Sequence, residues 1–359
     1  MAPSIIEYIK SKLKEAGFKD KHKTRETDFQ RKREDAPLGF EVICKFVLGM
    51  AGRKLTEENI DFGIESAITV SDSAISQRRD AVQYTAFEEL FTESAKMIPA
   101  EQNYRGYRLS AYDGIKGELP NFKDLKPKYL ASETAQYPTF HAVAEYDVLN
   151  KVYTQAVFEP GVTDERAAAL KLIEKNSYAG KEIMLLDRGF PSIKMIQTLN
   201  KKGKFFVMRV SSSFLAEVNA FRLGTGTDEI IQVDYTKRRA SLSKVKDIEL
   251  PYSFDLRCVR IVLPSGEHEI LVTNLPAEEF STKDIGELYN LRWQIEIGFL
   301  RLKHAVRIED FVGKKENSVL QEYFATLIKA NILMQLAALS DAGICGASKK
   351  NEICIQDKH

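Results

Sequence analysis

The chain has 359 residues, a length that favours two or three domains over a single hydrophobic core. Hydrophobic residues make up 44% of the chain and charged residues 29%, a composition that argues against a disordered chain. The 52 basic residues are balanced by 51 acidic ones, which excludes a uniformly basic protein that coats nucleic acid. The first residues lack the apolar core and cleavage site of a signal peptide, and no stretch is apolar enough to span a bilayer. We therefore expect a cytoplasmic protein without membrane contact.

The first hundred residues carry helical patterns. Lys and Arg are in excess over residues 10–33, which fits either contact with a DNA backbone or a solvated helix, and the residues leave both open. Between residues 55 and 90, two short helices joined by a tight turn fit a helix-turn-helix, with 71–73 capping the second helix. The residues that would then contact DNA are Ser73, Gln77, Arg78 and Arg79. A plain helical hairpin would show the same pattern, so this contact is one of two interpretations.

After Pro99 the pattern changes to strands that alternate with helices. The predicted strands cover residues 108–113, 139–148, 151–158, 182–187 and 204–210, and the predicted helices cover 163–175, opened by Thr163, and 191–200. The run 182–187 is nearly all apolar and ends in Asp187, which indicates a buried central strand. The order β, β, β, α, β, α, β is that of an RNase H-like α/β fold with a mixed five-stranded sheet.

The second half of the chain adds short strands and then long helices. Strands are predicted over residues 230–235, 256–263 and 269–273, a continuous helix over 282–306 and an apolar helix over 320–339. The predicted division is a helical N-terminal DNA-binding domain (1–100), an RNase H-like catalytic core in two parts (101–210 and 275–345), a β-rich insertion (211–274) and a disordered tail (346–359).

Four polar residues form a stripe on the predicted helix 282–306. At about 100° per residue, Tyr289, Arg292, Glu296 and Lys303 lie along one narrow edge, beside an apolar face that would pack on the core. An ion pair between Arg292 and Glu296 would explain part of the same spacing. Two further carboxylates, Asp113 and Asp187, stand at predicted strand ends and favour a functional site.

The spacing Tyr-x2-Arg-x3-Glu-x6-Lys at residues 289–303 resembles the YREK signature of a group of bacterial insertion-sequence DDE transposases. Residues 113–121 and 186–190 are similar to the segments around the first and second aspartates of that group, and residues 71–90 are similar to its N-terminal segment. The resemblance covers roughly residues 55–339 and rests on several separate motifs in the same order.

The resemblance implies a catalytic triad of Asp113, Asp187 and Glu296 that binds two Mg²⁺ ions, with Mn²⁺ as an alternative. Oxygen ligands suit such hard cations, and the cations keep three converging carboxylates ionised. The implied activity is strand cleavage and strand transfer by a cut-and-paste mechanism at a phosphodiester. Tyr289, Arg292 and Lys303 would contact phosphates, whereas Arg188 could contact a phosphate or form a structural salt bridge.

The implied partner is double-stranded DNA, both the inverted repeats at the transposon ends and the target. A homodimer is expected in the synaptic complex, with the bound protein associated with the bacterial nucleoid. The alternative is a truncated, catalytically inactive DNA-binding copy that inhibits the full-length transposase, because the sequence after Leu339 is shorter than in members of that group. The single tryptophan, Trp293, is expected to pack against the core rather than stack on a base.

Overall fold

The computed structural model describes residues 2–30, 37–234, 253–263, 265–305 and 307–348, and their side chains except those of 2–3, 301–305 and 339–348. Most of the predicted tail, 349–359, therefore lies outside the described residues, as does the side chain of Lys303. None of the described helices is both long enough and apolar enough to cross a membrane.

Six helices precede the sheet in the part of the chain that the structure describes. They are α1 (Ala2–Lys14), α2 (Ala16–His22), α3 (Phe40–Gly49), α4 (Leu55–Ser66), α5 (Asp72–Asp80) and α6 (Thr85–Lys96). The predicted helix pair corresponds to α4 and α5, and Ser71 caps α5 by accepting a hydrogen bond from the backbone N–H of Ala74 at 3.2 Å. Apolar side chains along α6, such as Phe87 and Leu90, are fully buried. These helices therefore share a core with the sheet.

The described strands form one sheet in the order β3-β2-β1-β4-β5-β8-β7-β6. Its strands are β1 (Arg108–Glu118), β2 (Thr139–Asp147), β3 (Val152–Pro160), β4 (Glu182–Leu186), β5 (Phe205–Arg209), β6 (Asp228–Asp234), β7 (Ser253–Val262) and β8 (His268–Thr273). The first five strands occur in the predicted order, and β1 pairs antiparallel with β2 but parallel with β4. The predicted α/β class, with a mixed sheet after N-terminal helices, is confirmed.

Helices cover both faces of the sheet. Between the strands lie α7 (Lys126–Tyr129), α8 (Glu165–Lys175), α9 (Ile193–Lys201) and α10 (Ala216–Leu223). The cap of α8 is Asp164 rather than the predicted Thr163. One hydrophobic core holds α8, α9 and α10 against the face of β1 that carries Tyr112, and the other core holds the N-terminal and C-terminal helices against Leu109 and Ala111. Successive side chains of β1 point to opposite faces of the sheet and so pack into two different cores.

The predicted β-rich insertion extends the same sheet. β8 pairs antiparallel with β5, so that Val207 stands opposite Thr273, and β7 and β6 follow toward the edge. The buried Arg257 of β7 donates to the Asp228 carboxylate and to the carbonyl of Phe280. The insertion strands are therefore joined to the core by backbone ladders, while the division of the chain into domains stays a prediction.

The predicted continuous helix over 282–306 is wrong. It is divided into α11 (Thr282–Asn290) and α12 (Trp293–Ala305), and a last helix, α13 (Glu316–Ser348), follows. At the junction, the N–H groups of Arg292 and Ile295 donate to carbonyls three residues earlier, as in a 3₁₀ turn. Because such a turn advances the chain by more than 100° per residue, a stripe calculated across it does not describe side-chain directions.

Candidate active site

The two aspartates lie on neighbouring parallel strands. Tyr112 of β1 pairs with Leu186 of β4, so the next residues, Asp113 and Asp187, follow side by side. Asp187 comes directly after β4, as predicted, whereas β1 continues past Asp113 to Glu118 because this part of β1 stays paired with β2. Asp113 thus stands mid-strand, at the point where pairing with β4 ends.

Tyr289 connects α11 to the second aspartate. Its hydroxyl donates to Oδ1 of Asp187 at 3.1 Å, and its ring is buried. Burial, together with the nearby Asp187 carboxylate, raises the pKa of Tyr289, so the phenol stays a hydrogen-bond donor at neutral pH. This contact holds the C-terminal end of α11 against the end of β4.

Arg292 and Glu296 form an ion pair beside the aspartates. Nη2 of Arg292 lies 2.5 Å from Oε1 of Glu296, and the Arg292 residue is only 3% exposed. The guanidinium also lies over the rings of Tyr289, at 5.8 Å, and Trp293, at 5.5 Å. Glu296 is held in the first turn of α12, which packs across β1 through Ile295 and other buried apolar side chains.

The charged side chains around Asp113 are close enough to influence its pKa. Burial raises the pKa of Asp113 to about 6, the N–H of Gly114 and the Arg292 guanidinium oppose the rise, and the carboxylates of Glu165 and Glu296 add to it. Asp113 therefore lies beside Asp187 on the sheet and within electrostatic range of Glu296. Glu165, the first residue of α8, was not among the predicted site residues, because its only sequence signal is an acidic pair at a helix start.

A divalent cation fits the donor chemistry of this region. The Asp113 and Asp187 carboxylates offer hard oxygen ligands from adjacent strands, and burial already disfavours an isolated negative charge on Asp113. Within the described part of the chain, no three His, Cys, Asp or Glu side chains converge at metal-ligand spacing. The Glu296 carboxylate instead points to Arg292.

The four residues of α5 that were predicted to contact DNA differ in their exposure to solvent. Ser73 and Gln77 are exposed, and Arg78 is partly buried with its guanidinium 5.4 Å from the Phe29 ring centre. Arg79 is only 3% exposed and bonds to Glu322 of α13 at 2.5 Å. The Arg79 side chain is thus the least accessible of the four predicted contacts, and DNA contact by these residues stays a prediction.

The exposure of Trp293 and Arg188 bears on what the sequence predicted for these two residues. Trp293 is 56% exposed, so the expected packing of its ring against the core is wrong; the break before α12 turns the ring outward. Arg188 is exposed, and no ion pair joins it to any residue that the structure describes. Of the two interpretations of Arg188, a structural salt bridge therefore finds no support in the described residues.

The sequence model of the family described as "Transposase DDE domain" matches residues 98–332, a span that contains Asp113, Asp187 and Glu296. The chain belongs to the DDE transposase family. The expected resemblance to DDE transposases is thereby confirmed, whereas the finer YREK grouping stays a prediction. The matched span reaches from the segment before β1 to the middle of α13, so it includes the whole sheet described above.

Individual relatives of this DDE transposase are distant. The chain is 22% identical over 274 residues to the transposase InsG for insertion sequence element IS4 of Escherichia coli (strain K12), covering 74% of this chain and 60% of that protein. It is 27% identical to a putative transposase for IS4SA of Synechocystis, over 45% of this chain and 43% of that one. Identity to the putative transposase InsL for IS186A of Escherichia coli is 30%, over 34% of each chain. The chain thus spans 60% or less of these relatives.

A solved structure with a similar chain path is the piggyBac transposase synaptic complex with hairpin DNA, determined by cryo-electron microscopy. The TM-score is 0.49 at 13% sequence identity, and the match covers 94% of this chain and 74% of that one.

Proposed function

We propose that this DDE transposase cleaves DNA at the terminal inverted repeats of an insertion sequence and transfers the strand to a target, in a cut-and-paste mechanism. The observation that supports the proposal is the placement of Asp113 and Asp187 side by side on adjacent strands, with Glu296 on α12 close enough to influence the charge of Asp113. These three acids are the proposed catalytic residues. The spacing of Tyr289, Arg292, Glu296 and Lys303 supports placing the chain in the YREK group.

Asp113, Asp187 and Glu296 are also the proposed ligands of two Mg²⁺ ions, for which Mn²⁺ can substitute. When bound, divalent cations promote ionisation of an attacking hydroxyl and neutralise charge at the phosphodiester. The protein's own contribution is positioning. The Tyr289 hydroxyl orients the Asp187 carboxylate, and Arg292 keeps Glu296 within the site while balancing its charge.

DNA contact is proposed at two places on the chain. Near the active site, the exposed Arg188 can approach a phosphate backbone. Tyr289 and Arg292 are buried, so their proposed phosphate contacts rest on the spacing of the motif alone, as does that of Lys303, whose side chain lies outside the described residues. On α5, the exposed Ser73 and Gln77 and the partly buried Arg78 are the more accessible candidates. The partners are transposon-end and target DNA, with two protein copies in the synaptic complex.

The function is tested with a duplex that carries the inverted repeats flanking the gene. In the presence of Mg²⁺ the purified protein should nick this duplex at the repeat end. Glu296→Gln should reduce nicking more than about 100-fold, since even residues that only support metal ligands contribute 10- to 100-fold, and should leave duplex binding nearly unchanged.

Glu287→Gln is the matched control for this experiment, because Glu287 lies on α11 with an exposed side chain. It should nick at the wild-type rate. Metal-independent nicking, or full activity of Glu296→Gln, would show that the three acids do not form the proposed site.

A further inference from the structure

A fourth acidic side chain, Glu165, lies against the backbone that follows each aspartate. A Cβ atom added at Gly114 would lie 2.2 Å from Oε1 of Glu165, and one added at Gly189 would lie 3.3 Å from Oε2. One carboxylate thus faces the residue after Asp113 with one oxygen and the loop after Asp187 with the other. Any side chain at position 114 would displace the Glu165 carboxylate, so the carboxylate can occupy this space only because residue 114 is glycine.

His141 provides an independent sign that this space takes a polar ligand. The residue is fully buried on β2, and its Nδ1 lies 2.9 Å from the carbonyl oxygen of Thr163. The carbonyl accepts only, so Nδ1 carries the proton, and Nε2 points toward the same space with no hydrogen-bond partner among the described residues. Nε2 is 3.7 Å from Oε1 of Glu165. Buried polar atoms without a partner are rare in native proteins, and they often mark a missing water or ion.

The backbone that carries Glu165 is tied to the loop after Asp187. Asp164 caps α8 by accepting hydrogen bonds from the N–H groups of Arg166 and Ala167. The Arg166 side chain then donates to the carbonyl of Gly189 at 2.6 Å. The start of α8 and the end of β4 are therefore held together, while the side chain of Glu165 keeps 32% of its surface exposed.

We propose that Glu165 is a fourth carboxylate of the cation site, held near Asp113 and Asp187 by the start of α8. The inference rests on the proposed function, because it assigns a further oxygen ligand to the same divalent cations. Nothing in the YREK spacing points to this residue, which lies on a helix between β3 and β4.

The test is equilibrium binding of Mn²⁺ to the intact chain without DNA near neutral pH, followed by the electron paramagnetic resonance signal of free Mn²⁺. Glu165→Gln, which keeps the shape of the side chain and removes its charge, should weaken Mn²⁺ binding about 10- to 100-fold. Glu165→Asp keeps the charge on a shorter side chain and should bind Mn²⁺ more tightly than the Gln variant but less tightly than wild type.

Glu174→Gln is the matched control, because Glu174 is an exposed acid on the same helix. It should bind Mn²⁺ like the wild type. Wild-type affinity in both Glu165 variants, with Mg²⁺-dependent nicking by the parent chain intact, would overturn the inference and leave the proposed function standing. If Glu165→Gln does not fold, wild-type affinity in Glu165→Asp alone overturns it. A parent chain that neither binds Mn²⁺ nor nicks the duplex would overturn the proposed function and this inference together.

Discussion

Arg292 is both a buried structural residue and the ion-pair partner of Glu296. The sequence left open whether this residue forms an ion pair within its helix or belongs to a functional stripe, and the structure shows the ion pair with Glu296, within electrostatic range of Asp113. The guanidinium is buried beside Tyr289, whereas the Glu296 side chain keeps 34% of its surface exposed. Because the cation is held in place by its surroundings, it fixes the direction of the carboxylate more firmly than a fully exposed pair would.

Arg79 is a predicted DNA contact whose side chain is buried against α13. Arg79→Met would leave the Glu322 carboxylate buried without its partner, and such a loss costs about 3–5 kcal/mol in the free energy of unfolding. Urea denaturation measures this change.

Gln77→Ala, on the exposed side of α5, is the control and should change the free energy of unfolding by less than about 0.5 kcal/mol. An Arg79→Met protein that keeps full stability but loses DNA binding would support Arg79 as a DNA contact.

The helix that carries Tyr289 is set in place at its first turn as well as its last. Ser281 and Asp284 form a capping box at the start of α11, and Asp284 also accepts from Arg105 at 2.7 Å. Hydrogen bonds from the Ser281 hydroxyl and N–H, together with Arg105, lower the pKa of Asp284 to about 2. Since the Tyr289 hydroxyl bonds to Asp187 at the other end, α11 spans from this cap to the active site.

Asp284→Ala should therefore lower the free energy of unfolding by about 1 kcal/mol at neutral pH, because it removes the cap. A carboxylate with a lowered pKa stabilises the fold above its ordinary pKa near 4 and loses this effect as the pH falls toward 2, so the variant and the parent should converge in acid. Thermal unfolding from pH 7 downward measures the difference.

Lys283→Gln, an exposed change in the same turn, is expected to unfold like the parent at every pH. A deficit in Asp284→Ala that stays constant into acid would show that the charge of Asp284 contributes nothing to the cap.

The sheet joins the predicted insertion to the catalytic core. Because β8 pairs with β5, the strand that follows the second aspartate in the sheet borders directly on the insertion. Arg257 adds hydrogen bonds from β7 to the segment just before α11. A displacement of the insertion would therefore reach both β5 and α11, which flank Asp187.

Hydrogen exchange tests this continuity. The amides of β8 should exchange as slowly as those of β5, since both strands lie inside one ladder and open together. The edge strand β6 serves as an internal control and should exchange faster. Rapid exchange throughout β6, β7 and β8, with β5 still protected, would show that the insertion opens as a separate unit.

Several features were predictable from the residues alone: the order and kind of the core strands, the position of Asp187 at a strand end, and the presence of Asp113 and Glu296 in one family pattern. These features depend on local alternation, helical period and motif spacing, which are properties of neighbouring residues. The continuity of the sheet, the break before Trp293, the burial of Arg79 and the place of Glu165 became visible in the folded chain. Each of these depends on contacts between distant parts of the chain, such as Arg79 with Glu322, 243 residues apart, and no local pattern records such a contact.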